Sequence, residues 1–163
     1  MKLPPLIPIL ALALLASCAS APPGGALPRQ QQLANEGAAA MSANDYARAQ
    51  ALTAEAVRID PQFAEAWAGH GMASASLGQA DHAREAYERA LALYQARHRK
   101  NPSDANPVLQ QVFLLTVLGR PAEAQALLKQ ARADYPTDAQ LAKIPADFTA
   151  IKEAWKSWTL EAK

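Results

Sequence analysis

Cysteine is almost missing from this chain of 163 residues; Cys18 is the only one. A single thiol excludes an internal disulfide framework. Aromatic residues make up only 6% of the chain although 50% is hydrophobic, and 39 alanines fill the gap. Clusters of β-branched and aromatic residues, the mark of strands, are nearly absent. Alanine is the strongest helix former, and its small side chain lets helices approach closely. The composition therefore points to an all-α chain. Charge of one sign is lacking as well: the formal net charge is +1, so no basic field argues for nucleic acid.

The chain also lacks the constellations that carry chemistry. His70, His82 and His98 are its only histidines. His82 and Glu85 form one i, i+3 pair, but no third ligand stands at recognisable spacing for a metal. His70 lies in a helix interior, where a packed histidine is expected rather than a ligand. No nucleophile elbow, phosphate-binding loop or pair of catalytic carboxylates is present. The expectation is no catalytic residue, cofactor or metal. A hydrolase or metal enzyme stays a remote alternative.

A run long enough to span a bilayer is missing from the N-terminus. Leu3 to Ala16 is apolar for 14 residues, interrupted by Pro4, Pro5 and Pro8; spanning needs about 20. With Lys2 before it and the small residues Ala16 and Ser17 after it, this run reads as the core of a secretory signal peptide over residues 1–17. The sequence Leu15-Ala16-Ser17-Cys18 resembles the lipobox of bacterial lipoproteins. That resemblance implies acylation of the Cys18 thiol, cleavage before it and further fatty-acylation of the new amine. Two or more acyl chains anchor a protein stably, whereas one does so marginally. Ala19 in place of aspartate implies an outer-membrane destination, facing the periplasm. Residues 18–28 carry Pro22, Pro23, Gly24, Gly25 and Pro28 and no periodicity, so they read as a flexible tether. Ten such residues reach about 30 Å at full extension.

What the chain does have is an internal period. Aligned on Pro61 and Pro136, it falls into blocks of 34 residues: 30–63, 64–97 and 105–138. Block two carries Trp67, Gly71, Ala83, Tyr87 and Ala90. Block one carries Leu33, Gly37, Ala49, Ala56 and Pro61 at the same places, with Thr53 against Tyr87. Block three carries Val108, Val112, Ala124, Leu128, Ala131 and Pro136. This pattern resembles the tetratricopeptide repeat, a helix–turn–helix unit. The resemblance implies a right-handed α-solenoid of about three repeats over residues 29–138.

The same spacing has a physical logic. Two helices touch only where small residues face each other, and Trp67 and Tyr87 fill the wider gaps beside those contacts. Gly78 and Gly119 suit the left-handed residue that ends a helix, and Pro121 suits a first turn. Gln95 stands at the position of the usual terminal proline, so the second helix of block two is predicted to run from about Ala80 to Arg99. Ser103 or Asp104 can cap the helix that follows. Arg97-His98-Arg99-Lys100 then lies at a helix C-terminus, favourable for the helix dipole and alternatively available to anionic lipid or cell wall.

Residues 139–163 read as the C-terminal capping helix of the solenoid. Thr137 to Gln140 has capping-box spacing. Phe148, Ile151, Trp155 and Trp158 fall on one helical face, either as a cover for the solenoid end or as an aromatic docking face.

In the tetratricopeptide family, four positions of each first helix line a concave groove. Carried over, these are Gln31, Ala34, Ala38 and Met41, then Glu65, Ala68, Met72 and Ala75, then Asn106, Leu109, Phe113 and Thr116. The set lacks the lysines and arginines that grip a terminal carboxylate. An apolar, methionine-containing groove suits an apolar helix or extended segment of an envelope protein; alternatively the C-terminal helix folds back and fills it. The expected function is a membrane-anchored adaptor lipoprotein, similar to tetratricopeptide lipoproteins that help assemble pili or secretion channels. The alternative is a scaffold for cell-wall enzymes.

Overall fold

The computed structural model describes residues 27–144, Glu153 and residues 158–160. Within them lie seven helices and no strand. They are α1 (Arg29–Ser42), α2 (Tyr46–Ile59), α3 (Ala64–Ser76), α4 (Ala80–Lys100), α5 (Asn106–Val117), α6 (Pro121–Asp134) and α7 (Ala139–Lys143). Each helix packs on the next, and α1 also packs on α3. The result is three antiparallel hairpins stacked as an α-solenoid of the tetratricopeptide type. The signal segment, Cys18 and most of the tether lie outside the described residues. So do Phe148, Ile151 and Trp155.

The turn inside each hairpin is the same device three times. The fifteenth residue of each block has positive φ: Asn44 at 59°, Gly78 at 73° and Gly119 at 74°. Glycine enters that region without cost, and asparagine does so more readily than most residues. Two reverse hydrogen bonds then satisfy the helix's last carbonyls. In the middle hairpin Gln79 N donates to Ser74 O at 2.9 Å and Gly78 N to Ala75 O at 3.0 Å. In the third, Arg120 N donates to Leu115 O and Gly119 N to Thr116 O. The first hairpin uses Asp45 N to Ala40 O and Asn44 N to Met41 O, and Asp45 also caps α2 by accepting from Arg48 N.

Alanines hold the hairpins together. Ala49, Ala83 and Ala124 are fully buried at one shared position, and Ala56, Ala90 and Ala131 are buried at another. The wider slot is filled by complementary pairs: Gly71 meets Tyr87 and Gly37 meets Thr53. Val112 and Leu128 occupy the same two slots in block three and are both buried. Between blocks two and three the bulk shifts, the bulkier first-helix Val112 going with a second-helix residue smaller than Tyr87, a volume-compensating exchange; block one keeps glycine with the smaller Thr53.

Helix α4 overruns the repeat by a turn, ending at Lys100 rather than at Arg99, because no proline stops it. Its end is tied to the third hairpin: the His98 ring meets the Tyr135 ring edge-on at 6.5 Å, and Tyr135 Oη donates to Pro102 O. Asp104 Oδ1 accepts from Asn106 N at the entrance to α5. The entrance to α7 differs from the capping-box expectation. Asp138, not Thr137, is the N-cap, accepting from Gln140 N and Leu141 N. A carboxylate there is a stronger acceptor than a hydroxyl and gains from the helix dipole. Helix α7 is short and ends at Lys143, just before Pro145, the residue expected to break it.

Candidate peptide-binding groove

The first helices of the three blocks, α1, α3 and α5, carry the groove positions. Their exposure falls along the solenoid. On α1, Gln31, Ala34 and Ala38 are half-buried and Met41 is buried. On α3, Ala68 and Met72 are buried, while Glu65 and Ala75 keep partial access. On α5, Leu109, Phe113 and Thr116 are all buried. An open apolar trough through all three repeats is therefore not what these residues form. Met41, Ala68, Met72, Leu109, Phe113 and Thr116 belong to the core, and the accessible surface is confined to Ala34, Ala38, Ala75 and their neighbours.

The cause lies in α5. Every residue from Pro107 to Leu118 is buried, Gln110 and Gln111 included. A helix that is apolar all round is covered all round, and Val-Phe-Leu-Leu-Thr-Val at 112–117 offers no polar face. Part of the cover is the C-terminal segment. Leu160 is buried in the main core cluster, with Trp158 packed against it. Leu160 N donates to Val117 O, and Tyr87 Oη donates to Trp158 O at 3.4 Å. Burial pushes the Tyr87 hydroxyl pKa far above its usual range, so it stays a donor. These contacts lie at the end of α5 and on α4, and most of the C-terminal helix that the second groove alternative invokes lies outside the described residues.

Glu65 does not present a free carboxylate. Arg97, at the far end of the same hairpin, forms a two-pronged ion pair with it, Arg97 Nη2 donating to Glu65 Oε2 at 3.1 Å. The Arg97 guanidinium also lies 5.1 Å from the centre of the Tyr94 ring. Such a planar pairing suits arginine and not lysine. The basic run is thereby divided: Arg97 and His98 are tied into the fold, and Arg99 and Lys100 are exposed.

A polar seam joins the first two hairpins. Gln50 Nε2 donates to Ser74 Oγ at 2.9 Å and also to Gln79 Oε1. Thr53 Oγ1 lies 3.3 Å from His70 Nδ1 and donates to Ala49 O. Burial holds the His70 imidazole below its ordinary pKa, with His82 adding to that direction. The seam's polar atoms are engaged with each other, which makes it a fastening between repeats. Among the described residues, no group of three or more His, Cys, Asp or Glu is placed to hold a metal ion.

Sequence reasoning missed Arg97 as the partner of Glu65, and Val117 and Leu160 as a docking pair. The second had a signal. The last residue of the first helix is Ser42 in block one and Ser76 in block two, and it becomes Val117 in block three. A serine there tolerates water, whereas a valine asks for a cover.

Residues 64–97 match the family model of the tetratricopeptide repeat. This is the middle hairpin, α3 with most of α4. Proteins built on this repeat typically act as non-catalytic scaffolds that bind protein partners. No curated protein matches the chain.

Proposed function

We propose that this protein is a membrane-tethered adaptor: a small tetratricopeptide module, anchored through acylated Cys18, that binds a protein partner during assembly of a cell-envelope complex such as a pilus or secretion channel. The matched repeat at 64–97, flanked by two hairpins of the same register, carries the binding role. The lipobox-like Leu15-Ala16-Ser17-Cys18 after an apolar run supports the anchor. No helix among the described residues is long and apolar enough to cross a membrane. The tether of residues 18–28 then lets the module search for its partner at the outer membrane's periplasmic face.

Metabolic labelling with a fatty acid tests the anchor. The wild type is expected to take up label and to fractionate with the outer membrane. Cys18→Ser is expected to do neither, and continued labelling of that variant overturns the anchor. A photo-crosslinking residue at Ala75, at the accessible end of the groove, tests the adaptor role in cells. An envelope protein captured from Ala75 but not from the remote surface position Ala126 supports it; equal capture from both overturns it.

A further inference from the structure

The four last carbonyls of an α-helix have no partner inside the helix. On α5 three of them are satisfied locally: Leu114 O accepts from Leu118 N, Leu115 O from Arg120 N and Thr116 O from Gly119 N. The fourth, Val117 O, accepts from Leu160 N across 43 positions of sequence. With Leu160 in place residue 117 is fully buried, and the Leu160 amide stands where water would otherwise be the partner. The α5 end therefore presents a carbonyl that needs an amide donor from another segment, beside an apolar surface that needs an aliphatic side chain.

Leu160 supplies both from one residue. Its side chain is buried, and its amide is free to donate because Thr159 and Leu160 lie outside any helix. Tyr87 Oη adds a bond to the carbonyl of Trp158, two residues earlier. Both bonds read only main chain, and the apolar cluster around Leu160 reads an aliphatic side chain. Recognition of this kind accepts any non-helical segment of the same pattern. Among the described residues no amide reaches the equivalent carbonyls of α1 and α3, where Ser42 is exposed and Ser76 half-buried.

We infer that residues 158–160 occupy, in cis, a docking site on α5 for an apolar partner segment whose main-chain amide and carbonyl are free of its own helical hydrogen bonds, and that the partner binds by displacing them. This inference rests on the adaptor reading and names the place and chemistry of its contact. The partner segment presents an aliphatic side chain in place of Leu160, a free main-chain amide to Val117 O and a main-chain carbonyl to Tyr87 Oη. The tethered segment keeps the α5 surface out of water until that partner arrives and sets a threshold for its binding.

The test uses the full chain and a fluorescein-labelled peptide of the sequence Trp155 to Lys163. A site occupied in cis lowers apparent affinity by the fraction of time it is open, so full-chain Leu160→Asp is expected to bind the peptide at least about tenfold more tightly than wild type. The same peptide carrying aspartate in place of Leu160 is expected not to bind either protein. Equal binding of the leucine peptide to wild type and variant, or none to a folded variant, overturns the inference. Hydrogen exchange on the wild type decides the matter independently, including if Leu160→Asp does not fold. The Leu160 amide is expected to exchange through local opening, much faster than the amides within α5. Exchange of both at one rate makes the segment part of the cooperative core and overturns the displacement. Failure of acyl labelling or of capture from Ala75 removes the adaptor reading and leaves the cis-docking result standing.

Discussion

Gly71 on α3 lies against the ring of Tyr87 on α4 so closely that a methyl group there would stand 2.5 Å from Tyr87 Cε1. Tyr87 is fully buried and has nowhere to retreat. Gly71→Ala gains helix propensity of about 1 kcal/mol, yet overpacking outweighs it, and a net loss of about 1–3 kcal/mol is expected. Gly37→Ala has one tight contact, the Thr53 methyl at 2.9 Å, with Ala49 O and Leu52 Cβ at ordinary contact distance, and is expected to cost less. Urea unfolding of the two variants beside wild type checks the order; a milder Gly71→Ala contradicts the packing argument.

The Glu65–Arg97 pair closes the open end of the middle hairpin. The Glu65 side chain is 12% exposed and that of Arg97 39%, so removing the arginine strands a mostly desolvated carboxylate. Arg97→Met, which keeps the aliphatic stem over Tyr94, is expected to cost about 1–2 kcal/mol. Glu65→Gln combined with Arg97→Met is expected to cost less than the sum of the single changes. Additivity in that double-mutant cycle shows that the two residues do not interact.

Stability is expected to fall in mild acid because of His70. Burial holds its folded-state pKa below the ordinary 6.5, so the unfolded chain binds the proton more readily. The contribution is fully present above about pH 6.5 and is lost as pH falls through the lowered folded pKa. His70→Gln is expected to flatten the change in urea midpoint between pH 7.5 and pH 5.5. An unchanged slope assigns the acid sensitivity elsewhere.

Gly78 separates backbone strain from packing. Its φ is +73° and nothing lies within 4 Å of a Cβ placed there. Gly78→Ala is expected to cost about 1–2 kcal/mol from conformation alone. Gly78→Asn is expected to cost less, since Asn44 already holds the equivalent position at φ 59°. Thermal unfolding of both variants reads the difference.

The repeat architecture was legible because it is written in residues whose roles are local. Small residues at Gly71 and Ala83, left-handed turn residues at Gly78 and Gly119, and the missing proline at Gln95 each act within one hairpin. Position in sequence therefore translates directly into position in the hairpin. The cap of α7 was misplaced by one residue because Thr137 and Asp138 are both good caps, and only the backbone path decides which oxygen reaches the free amides.

The groove was less legible, for a physical reason. Carrying positions over from a family assumes that each first helix keeps one face open, and α5 has no polar face to keep open. Its composition signals burial, but periodicity does not say by what. Sequence alone determined an all-α chain, three hairpins of common register and a lipobox-like motif at Cys18, because helix propensity, turn chemistry and short motifs act over a few residues. Only the tertiary structure decided that Arg97 reaches Glu65, that Phe113 is core and that Leu160 docks on Val117. The two pairings join residues 32 and 43 positions apart. Their partners are chosen by which buried carbonyl or carboxylate is left unsatisfied once the helices have packed, and no local pattern states that remainder.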